Sequence, residues 1–308
     1  MLDVYADFVE NWLAVPVVKG EKTAGERFPG AVQTFCIEAI MQDRKALQAG
    51  TSHFLGQNFA KASEIRFLDQ GGENQYAWTT SWGSSTRLIG AVLMTHSDDD
   101  GFVAPPKVAP LQVVILPILR SDEDRRRVLE YCHNVARELR AQRYADRQVT
   151  VLVDERDERG GDKVWHWIKK GVPLRLEIGP RDIDKDALFV GRRDRAAKDR
   201  QSVPRGEFVA SIAATLQSIH DNLYRRAQDF LHQNTRRIDS EEEFYAWFTP
   251  PHGGFALTHF SGDVQIEERI KLDLGVTGRC IPHNASEAGT CPFTGQPSPK
   301  RVVWAKAY

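Results

Sequence analysis

Residues 46–59 read Ala-Leu-Gln-Ala-Gly-Thr-Ser-His-Phe-Leu-Gly-Gln-Asn-Phe. This stretch combines small turn-forming residues such as Gly50 and Gly56 with hydroxyl and amide side chains and one histidine, His53. Its composition is typical of a polar surface loop, because small polar residues favour turns. A histidine with polar neighbours can also line a binding site. The stretch is therefore either a loop or an active-site segment, and the rest of the sequence must decide.

Length and composition indicate a multidomain globular protein. The chain has 308 residues, of which 41% are hydrophobic and 27% charged. This length suits two or three domains with packed cores. No apolar run approaches the roughly 20 residues that a membrane span requires, and the amino terminus lacks a signal-peptide pattern. We therefore expect a cytoplasmic protein, with the scattered Cys36, Cys132, Cys280 and Cys291 as free thiols.

Hydrophobic periodicity changes along the chain. Residues 1–13 show helical spacing, residues 76–82 favour a strand, and residues 87–96 favour a helix, which together suit an antiparallel sheet with helices against it. A proline-rich connection at 105–110 indicates a domain boundary. Strand and helix patterns then alternate from residue 111, which favours an α/β domain with a parallel or mixed sheet.

Later parts of the pattern are again distinct. A long helical stripe begins near residue 206 and is followed by a capping-box pattern at Asp239, Ser240 and Glu243. Short strands and turns in 253–308 indicate a small α/β module.

Four later segments stand out beside 46–59. They are Thr-Ser-Trp-Gly-Ser-Ser-Thr-Arg at 80–87, Pro-Pro-Lys-Val-Ala-Pro at 105–110, Lys-Gly-Val-Pro-Leu-Arg-Leu-Glu-Ile-Gly-Pro-Arg-Asp at 170–182, and Trp-Ala-Lys-Ala-Tyr at 304–308. Together these five ordered segments resemble one protein family, the proline–tRNA ligases of the archaeal and eukaryote-like type. Five matches in the family's order favour the active-site interpretation of residues 46–59.

The resemblance implies a multidomain fold of the α/β and α+β classes. Residues 1–108 match the carboxyl-terminal part of a class II synthetase catalytic domain, which has an antiparallel sheet. Residues 109–205 match an α/β anticodon-binding domain, and residues 206–308 match the family's small α/β carboxyl-terminal domain.

The implied activity is that of a proline–tRNA ligase, which activates proline with ATP and Mg²⁺ and transfers the prolyl group to tRNA(Pro). The family's first and second signature motifs, which precede the position matching Met1, have no counterpart in these residues. This predicts a late-starting gene model, or a split or decayed gene. A homodimer is expected for the full-length family, through that first motif. The alternative is an inactive paralogue that binds tRNA or a partner.

The resemblance assigns ligand contacts to the first segments. Arg87 matches the arginine of the third signature motif and is the predicted catalytic residue, because a guanidinium suits a phosphate or an adenine ring. The predicted ATP-binding residues are Gln48, Thr51, Ser85 and Arg87, and the predicted proline-binding residues are Ser52, His53 and Trp82. Simpler alternatives are a surface arginine, a hydrogen-bonded core histidine and core aromatic side chains at Trp78 and Trp82.

A basic segment from 192 to 205 and the matched segment 170–182 indicate contacts with RNA. Arginine and lysine bind phosphate without reading base sequence, so a solvated basic face is the alternative. The predicted tRNA-binding residues are Arg175, Arg181, Arg192 and Arg193. His166 and Ile168 stand where the family commonly has glutamates, which can accept hydrogen bonds from base amino groups.

Some family members bind a structural zinc in the last domain. The corresponding positions here are Ser261, Ile266, Cys291 and Thr294, and one cysteine cannot make a tetrahedral site. The sequence therefore predicts no structural zinc. It also contains no phosphate loop, metalloprotease helix or nucleophile elbow.

Overall fold

The computed structural model describes residues 1–119, 121–283 and 285–308. The chain contains two compact units. The first unit contains Met1–Asn11, Val15–Thr95 and Gln228–Tyr308, and the second contains Trp12–Ala14 and His96–Ala227. Both ends of the chain therefore belong to the first unit.

The helices and strands follow in chain order. The amino-terminal part contains α1 (Leu2–Asn11), β1 (Val18–Glu21), β2 (Gln33–Ile40), β3 (Ala46–Gly56), α2 (Asn58–Ala62), β4 (Arg66–Leu68), β5 (Asn74–Tyr76), β6 (Thr79–Gly83) and α3 (Arg87–His96). The middle contains β7 (Val113–Pro117), α4 (Asp122–Arg140), β8 (Arg143–Tyr144), β9 (Arg147–Gln148), β10 (Val151–Val153), α5 (Gly160–Lys169), β11 (Leu174–Ile178), α6 (Pro180–Ile183), β12 (Ala187–Arg192), β13 (Arg200–Pro204) and α7 (Arg205–Gln233). The last part contains β14 (Thr235–Arg237), α8 (Glu241–Phe248), β15 (Phe255–His259), α9 (Val264–Leu274), β16 (Val276–Pro282), β17 (Gly289–Thr290), β18 (Pro297–Ser298) and β19 (Arg301–Lys306).

An eight-stranded sheet forms the centre of the first unit, in the order β14-β15-β19-β16-β1-β2-β3-β6. All neighbouring strands are antiparallel except β14 and β15. The sheet is continuous between residues assigned by sequence to the catalytic segment, 1–108, and to the carboxyl-terminal segment, 206–308. The division into three domains stays a prediction.

The contact between β1 and β16 depends on a glycine. A Cβ atom on Gly20 would lie 2.5 Å from the carbonyl oxygen of Ile281 and 2.7 Å from Cβ of Cys280. These distances are below van der Waals contact, so only glycine fits between the strands. The continuous sheet therefore rests on a local sequence requirement.

The first unit has its largest aromatic core in the carboxyl-terminal part. Trp304 is fully buried on β19, and its ring packs edge-on against Phe244 and Phe260 at centroid distances of 5.8 and 5.1 Å. Edge-to-face pairs of this kind add to the free energy gained by burying the rings. Ser240 caps α8 by accepting a hydrogen bond from the main-chain nitrogen of Glu243 at 3.2 Å, as its sequence pattern predicts.

The second unit contains a five-stranded sheet in the order β10-β7-β11-β12-β13. Strands β10, β7 and β11 are parallel, and β12 and β13 are antiparallel to their neighbours. Strand β7 is buried along its whole length, as its continuous apolar sequence predicts. The α/β and α+β fold class is confirmed by these two sheets.

One predicted element is corrected in its bounds. The predicted strand 76–82 is interrupted at residues 77–78, between β5 and β6. The main-chain nitrogen of Ala77 donates to the carbonyl oxygen of Ile65, and Trp78 stacks on Phe54 with a centroid distance of 5.8 Å. These contacts turn the chain, and β-propensity alone does not report them.

Candidate functional site

Most of the segment 46–59 is a central strand. Residues 46–56 form β3, which lies between β2 and β6 with antiparallel neighbours on both sides. The polar-loop alternative is therefore wrong for these residues. Its polar side chains are half-buried, so their hydrogen-bonding groups are satisfied by protein partners, by water or by a ligand.

The strand register assigns the predicted ligand contacts to faces. Directly opposed residues of antiparallel strands share a face, and successive residues alternate. Thr51 lies opposite Cys36 and His53 opposite Thr34, so both project to one face. Gln48 lies opposite Glu38, beyond a register irregularity, and shares that face by the same rule.

Ser52 and Trp82 are opposed to each other and share the other face. Gly50 lies on this second face too, and a Cβ atom added to it would lie 3.3 Å from the ring of Tyr5 on α1. Helix α1 therefore covers the face of Ser52. The structure brings Thr51 and His53 together but does not bring Ser52 to the same face.

Arg87 is tied to β3 through the main chain. Its Nη1 donates a hydrogen bond to the carbonyl oxygen of Gln48 at 3.2 Å. The Arg87 main-chain nitrogen donates to Oγ of Ser85 at 3.3 Å, at the start of α3. The side chain is exposed, and within the described ranges no carboxylate forms an ion pair with it. Its remaining donors are available to an anion.

His53 is a half-buried neutral group. Its Nδ1 lies 3.0 Å from Oγ1 of Thr34, and its ring centroid lies 4.7 Å from that of Phe28. Burial lowers the pKa of His53, which keeps the imidazole uncharged at neutral pH. The sequence did not single out Phe28, which follows β1 in a turn with no regular spacing to β3.

Trp78 and Trp82 are 67% and 51% exposed. The alternative that they are core residues is therefore wrong. Both belong to the β6 end of the sheet, beyond which no strand is found among the residues that the structure describes. Large exposed aromatic side chains at a sheet edge mark a surface suited to binding.

A buried charge network supports the same face of the sheet. Glu38 is fully buried, and its carboxylate accepts hydrogen bonds from Nζ of Lys22 at 2.9 Å and from Nε and Nη2 of Arg279 at 3.1 and 3.0 Å. The network joins β2 to the segment after β1 and to β16. Sequence reasoning missed it, although a glutamate within the apolar run Phe-Cys-Ile-Glu-Ala-Ile is the signal that could have indicated it.

The end of the chain also contacts β3. The main-chain nitrogen of Tyr308 donates to the carbonyl oxygen of Ala46 at 3.3 Å. A hydrogen bond to Asp43 contributes to a Tyr308 pKa of about 12, together with the larger effect of burial. Tyr308 is therefore held against Ala46, which lies two residues before Gln48 on β3.

The four arginines predicted to bind tRNA differ in exposure. Arg181 is exposed, whereas Arg175 and Arg193 are buried, with exposed fractions of 1% and 4%. Arg193 uses its donors internally: it binds Asp98 and the carbonyl oxygens of Gly101, Phe102 and Ile168. Contact of Arg175 and Arg193 with RNA stays a prediction, which their burial does not favour.

Arg175 is a buried cation with an unusual environment. Its Nε and Nη1 atoms have no hydrogen-bond partner among the described residues, and burial lowers its pKa. Gly191 lies directly opposite on β12, where the missing side chain leaves room for the guanidinium. The sequence pattern could not distinguish this position from an exposed arginine.

Helix α5 contains the two departures noted in the sequence. Ile168 is buried in the second unit, whereas His166 is half-buried and packs edge-on against Trp167 at 4.9 Å. Burial lowers the pKa of His166, and the charges of Arg156 and Lys170 act in the same direction. At neutral pH this position is therefore uncharged, unlike a glutamate.

Two of the carboxyl-terminal positions considered for zinc, Cys291 and Thr294, lie in one turn. The main-chain nitrogens of Thr294 and Gly295 point to the carbonyl oxygen of Cys291, at 3.4 and 2.9 Å. In the described part of the chain, no group of three or more His, Cys, Asp or Glu side chains is arranged to hold a metal ion. Among the described helices, none is long and apolar enough to cross a membrane.

Comparison with known proteins identifies two regions. The family model described as "Anticodon binding domain" matches residues 112–215, and that described as "Prolyl-tRNA synthetase, C-terminal" matches residues 243–308. The first range covers most of the second unit. The second range begins within α8 and continues through β19 to the end of the chain.

Curated relatives match the chain from end to end. Proline–tRNA ligase 2 of Anaeromyxobacter dehalogenans is 61% identical over 319 aligned residues, which cover 100% of this chain and 62% of the relative. The proline–tRNA ligases of Bdellovibrio bacteriovorus and Rhodopirellula baltica are each 50% identical, with 62% and 61% of their lengths covered. The chain spans about three fifths of the length of these relatives.

Proposed function

Over the residues that it spans, this chain belongs to the proline–tRNA ligase family, and on that premise we propose that it serves in the ATP-dependent attachment of proline to tRNA(Pro). In this reaction the carboxylate of proline attacks the α-phosphate of ATP, and pyrophosphate leaves. The prolyl group then passes to the terminal ribose of the tRNA. A cytoplasmic location belongs to the same proposal, whereas a homodimer is the expectation for the full-length family.

The face of β3 that contains Thr51 and His53 is the proposed ligand face. Arg87 acts as the catalytic residue by stabilising negative charge that develops on the phosphate, and Gln48, Thr51 and Ser85 contact ATP, which binds with Mg²⁺. Support comes from the hydrogen bond between Arg87 and the Gln48 carbonyl, which fixes a guanidinium beside the strand. Fixed donors stabilise a transition state without reorganisation.

His53 is the proposed contact for the proline ring, with Ser52 and Trp82 as further proposed contacts. A neutral imidazole next to Phe28 offers the apolar surface that a pyrrolidine ring requires. Trp82 and Ser52 lie on the opposite face of the sheet, so their contribution requires a ligand or a segment that reaches the β6 edge.

Binding of tRNA(Pro) is proposed for the second unit. Arg181 is exposed and Arg192 has a side chain that is 13% exposed, and the buried Arg175 and Arg193 complete the proposed set. Phosphate contacts of this kind position the RNA, and recognition of the anticodon needs base contacts in addition.

The observation that carries the catalytic part is the hydrogen bond of Arg87 to the Gln48 carbonyl oxygen, on the strand that also contains Thr51 and His53. We would titrate the chain calorimetrically with a sulfamoyl analogue of prolyl-adenylate and with its alanyl counterpart. The prolyl analogue is expected to bind more tightly. Arg87→Ala is expected to weaken binding by roughly tenfold or more, because a charged hydrogen bond contributes about 1.5–3 kcal/mol.

Arg66→Ala is the matched control, because Arg66 is an exposed arginine of the same unit on β4, paired with Glu64. It is expected to leave affinity unchanged. Equal affinity for the prolyl and alanyl analogues would contradict a proline site, and an unaltered affinity in Arg87→Ala would contradict the assigned role of Arg87.

A second candidate function is tRNA binding without proline activation. The exposed aromatic side chains at the β6 edge favour it, because they leave this edge of the sheet free to contact a large partner. The departures at His166, Ile168, Ser97 and Lys107, the last two standing where the family tends to have glycine and arginine, favour it as well. Proline-dependent exchange of pyrophosphate into ATP separates the two functions.

A further inference from the structure

Three adjoining cavities in the second unit share one arginine. They lie between the β12–β13 hairpin and α7, and their volumes are about 420, 220 and 320 Å³. Arg192 lines all three. Together they form a groove, which we call the Arg192 groove, defined by Arg192 with Gln201 on β13 and Ser218 on α7.

The position of Arg192 in the groove is fixed by a buried carboxylate. Asp194 accepts hydrogen bonds from Nε and Nη2 of Arg192 at 2.9 and 2.8 Å, and it has no exposed side-chain surface. Asn222 on α7 donates to the same carboxylate at 2.8 Å. The Arg192 Nη1 atom has only a long contact of 3.4 Å with Oγ of Ser218. This edge of the guanidinium can therefore bind a ligand without losing the anchor.

Two further arginines line the cavity of about 320 Å³ at the α7 end of the groove. Arg195 and Arg225 are exposed, and no carboxylate among the described residues forms an ion pair with either. Asp221 is the one acidic residue that lines this cavity, and it accepts a hydrogen bond from Gln217 at 2.6 Å. Three guanidinium groups therefore surround a space with one lining carboxylate, and the charge of Arg192 is already balanced by Asp194.

We propose that the α7 end of the Arg192 groove binds a phosphodiester group of the tRNA backbone, with Arg195 and Arg225 as the main contacts and Arg192 as a fixed donor. The proposal rests on the proposed function, since it assigns a further contact to the same tRNA. Guanidinium groups bind phosphate oxygens through paired donors, and a cavity that is open to solvent admits a backbone segment. Asp221 opposes the phosphate and limits the affinity.

The test uses the full chain and tRNA(Pro), with fluorescence anisotropy at several salt concentrations. The double variant Arg195→Ala, Arg225→Ala is expected to bind tRNA about tenfold more weakly, and its salt slope is expected to fall by about 1.4–1.8 for two lost phosphate contacts. Asp221→Asn is expected to bind several-fold more tightly. Arg125→Ala is the control, because Arg125 is an exposed arginine of α4 that lines none of the three cavities.

The other possible results distinguish a wrong groove assignment from a wrong proposed function. If the wild type binds tRNA and the double variant binds equally well, the groove assignment is wrong and the proposed function stands. If the wild type binds no tRNA, the proposed function itself fails. A parallel titration with inorganic phosphate identifies the source of the phosphate. Phosphate binding that the double variant loses, with unchanged tRNA affinity, would assign the cavity to a small anion and overturn the RNA contact.

Discussion

Replacing Glu38 by glutamine tests the buried charge network of Glu38, Lys22 and Arg279, which supports the proposed ligand face. Glu38 has no exposed surface, and its partners Lys22 and Arg279 have side chains that are only 4% and 10% exposed. Glutamine keeps the shape but offers one acceptor oxygen instead of two and adds a donor amide next to two cations. The variant leaves two buried positive charges without their counter-charge.

The expected loss is about 3–5 kcal/mol in the free energy of unfolding of the first unit, the range for removing one partner of a buried ion pair. Three contacts of 2.9–3.1 Å are altered by this one substitution. Domains commonly have only about 5–15 kcal/mol of stability, so the loss is a large share of the total. Replacing all three residues by apolar ones of similar volume is expected to cost much less, because no charge is then buried.

Hydrogen–deuterium exchange measured against urea concentration reports the two units separately. Peptides from β2 and β16 are expected to lose protection at lower urea in Glu38→Gln, and peptides from β7 are expected to keep theirs. Asp3→Asn is the control, because the ion pair of Asp3 with Lys19 is exposed and screened by solvent, so its loss should leave stability unchanged. A loss below about 1 kcal/mol in Glu38→Gln would refute the stabilising role of the network.

Two further predictions concern the second unit. Burial lowers the pKa of His96 to about 4, whereas its value in the unfolded chain is about 6.5. The free energy of unfolding should therefore be highest above pH 6.5 and should fall by about 3 kcal/mol as the pH is lowered to 4. His96→Gln should remove this pH dependence, which urea titrations at several pH values would measure. Arg193→Ala should destabilise the second unit by about 3–5 kcal/mol in thermal unfolding, because Asp98 and three carbonyl oxygens lose their donor.

The sequence predicted the fold class because its periodicity matches the burial that the strands require. The continuous apolar residues of 113–117 became a buried strand, and the stripe after residue 206 became α7. The continuous sheet between both ends of the chain was not predicted. It depends on the pairing of β1 with β16, and contacts between residues so distant in sequence leave no local periodicity.

Ligand-site residues were predicted by resemblance, but their faces were not. Neighbouring letters such as Ser52 and His53 project to opposite faces once the segment is a strand, and sequence order alone treats them as one group. The exposure of the arginine side chains could not be predicted from the sequence either. Arg175 and Arg181 lie in one matched segment, yet only Arg181 is exposed, because burial depends on the tertiary packing of the sheet and not on residue type.

Recognition of tRNA(Pro) is the claim that both candidate functions share. It is tested most directly by competition, in which labelled tRNA(Pro) bound to the chain is displaced by unlabelled tRNA(Pro) or by the same tRNA with a changed anticodon. The account predicts that unlabelled tRNA(Pro) displaces the label at a concentration at least about tenfold lower than the tRNA with the changed anticodon requires, since each base contact discriminates by about 1–3 kcal/mol. Displacement at equal concentrations would contradict the assignment of an anticodon-binding role to the second unit.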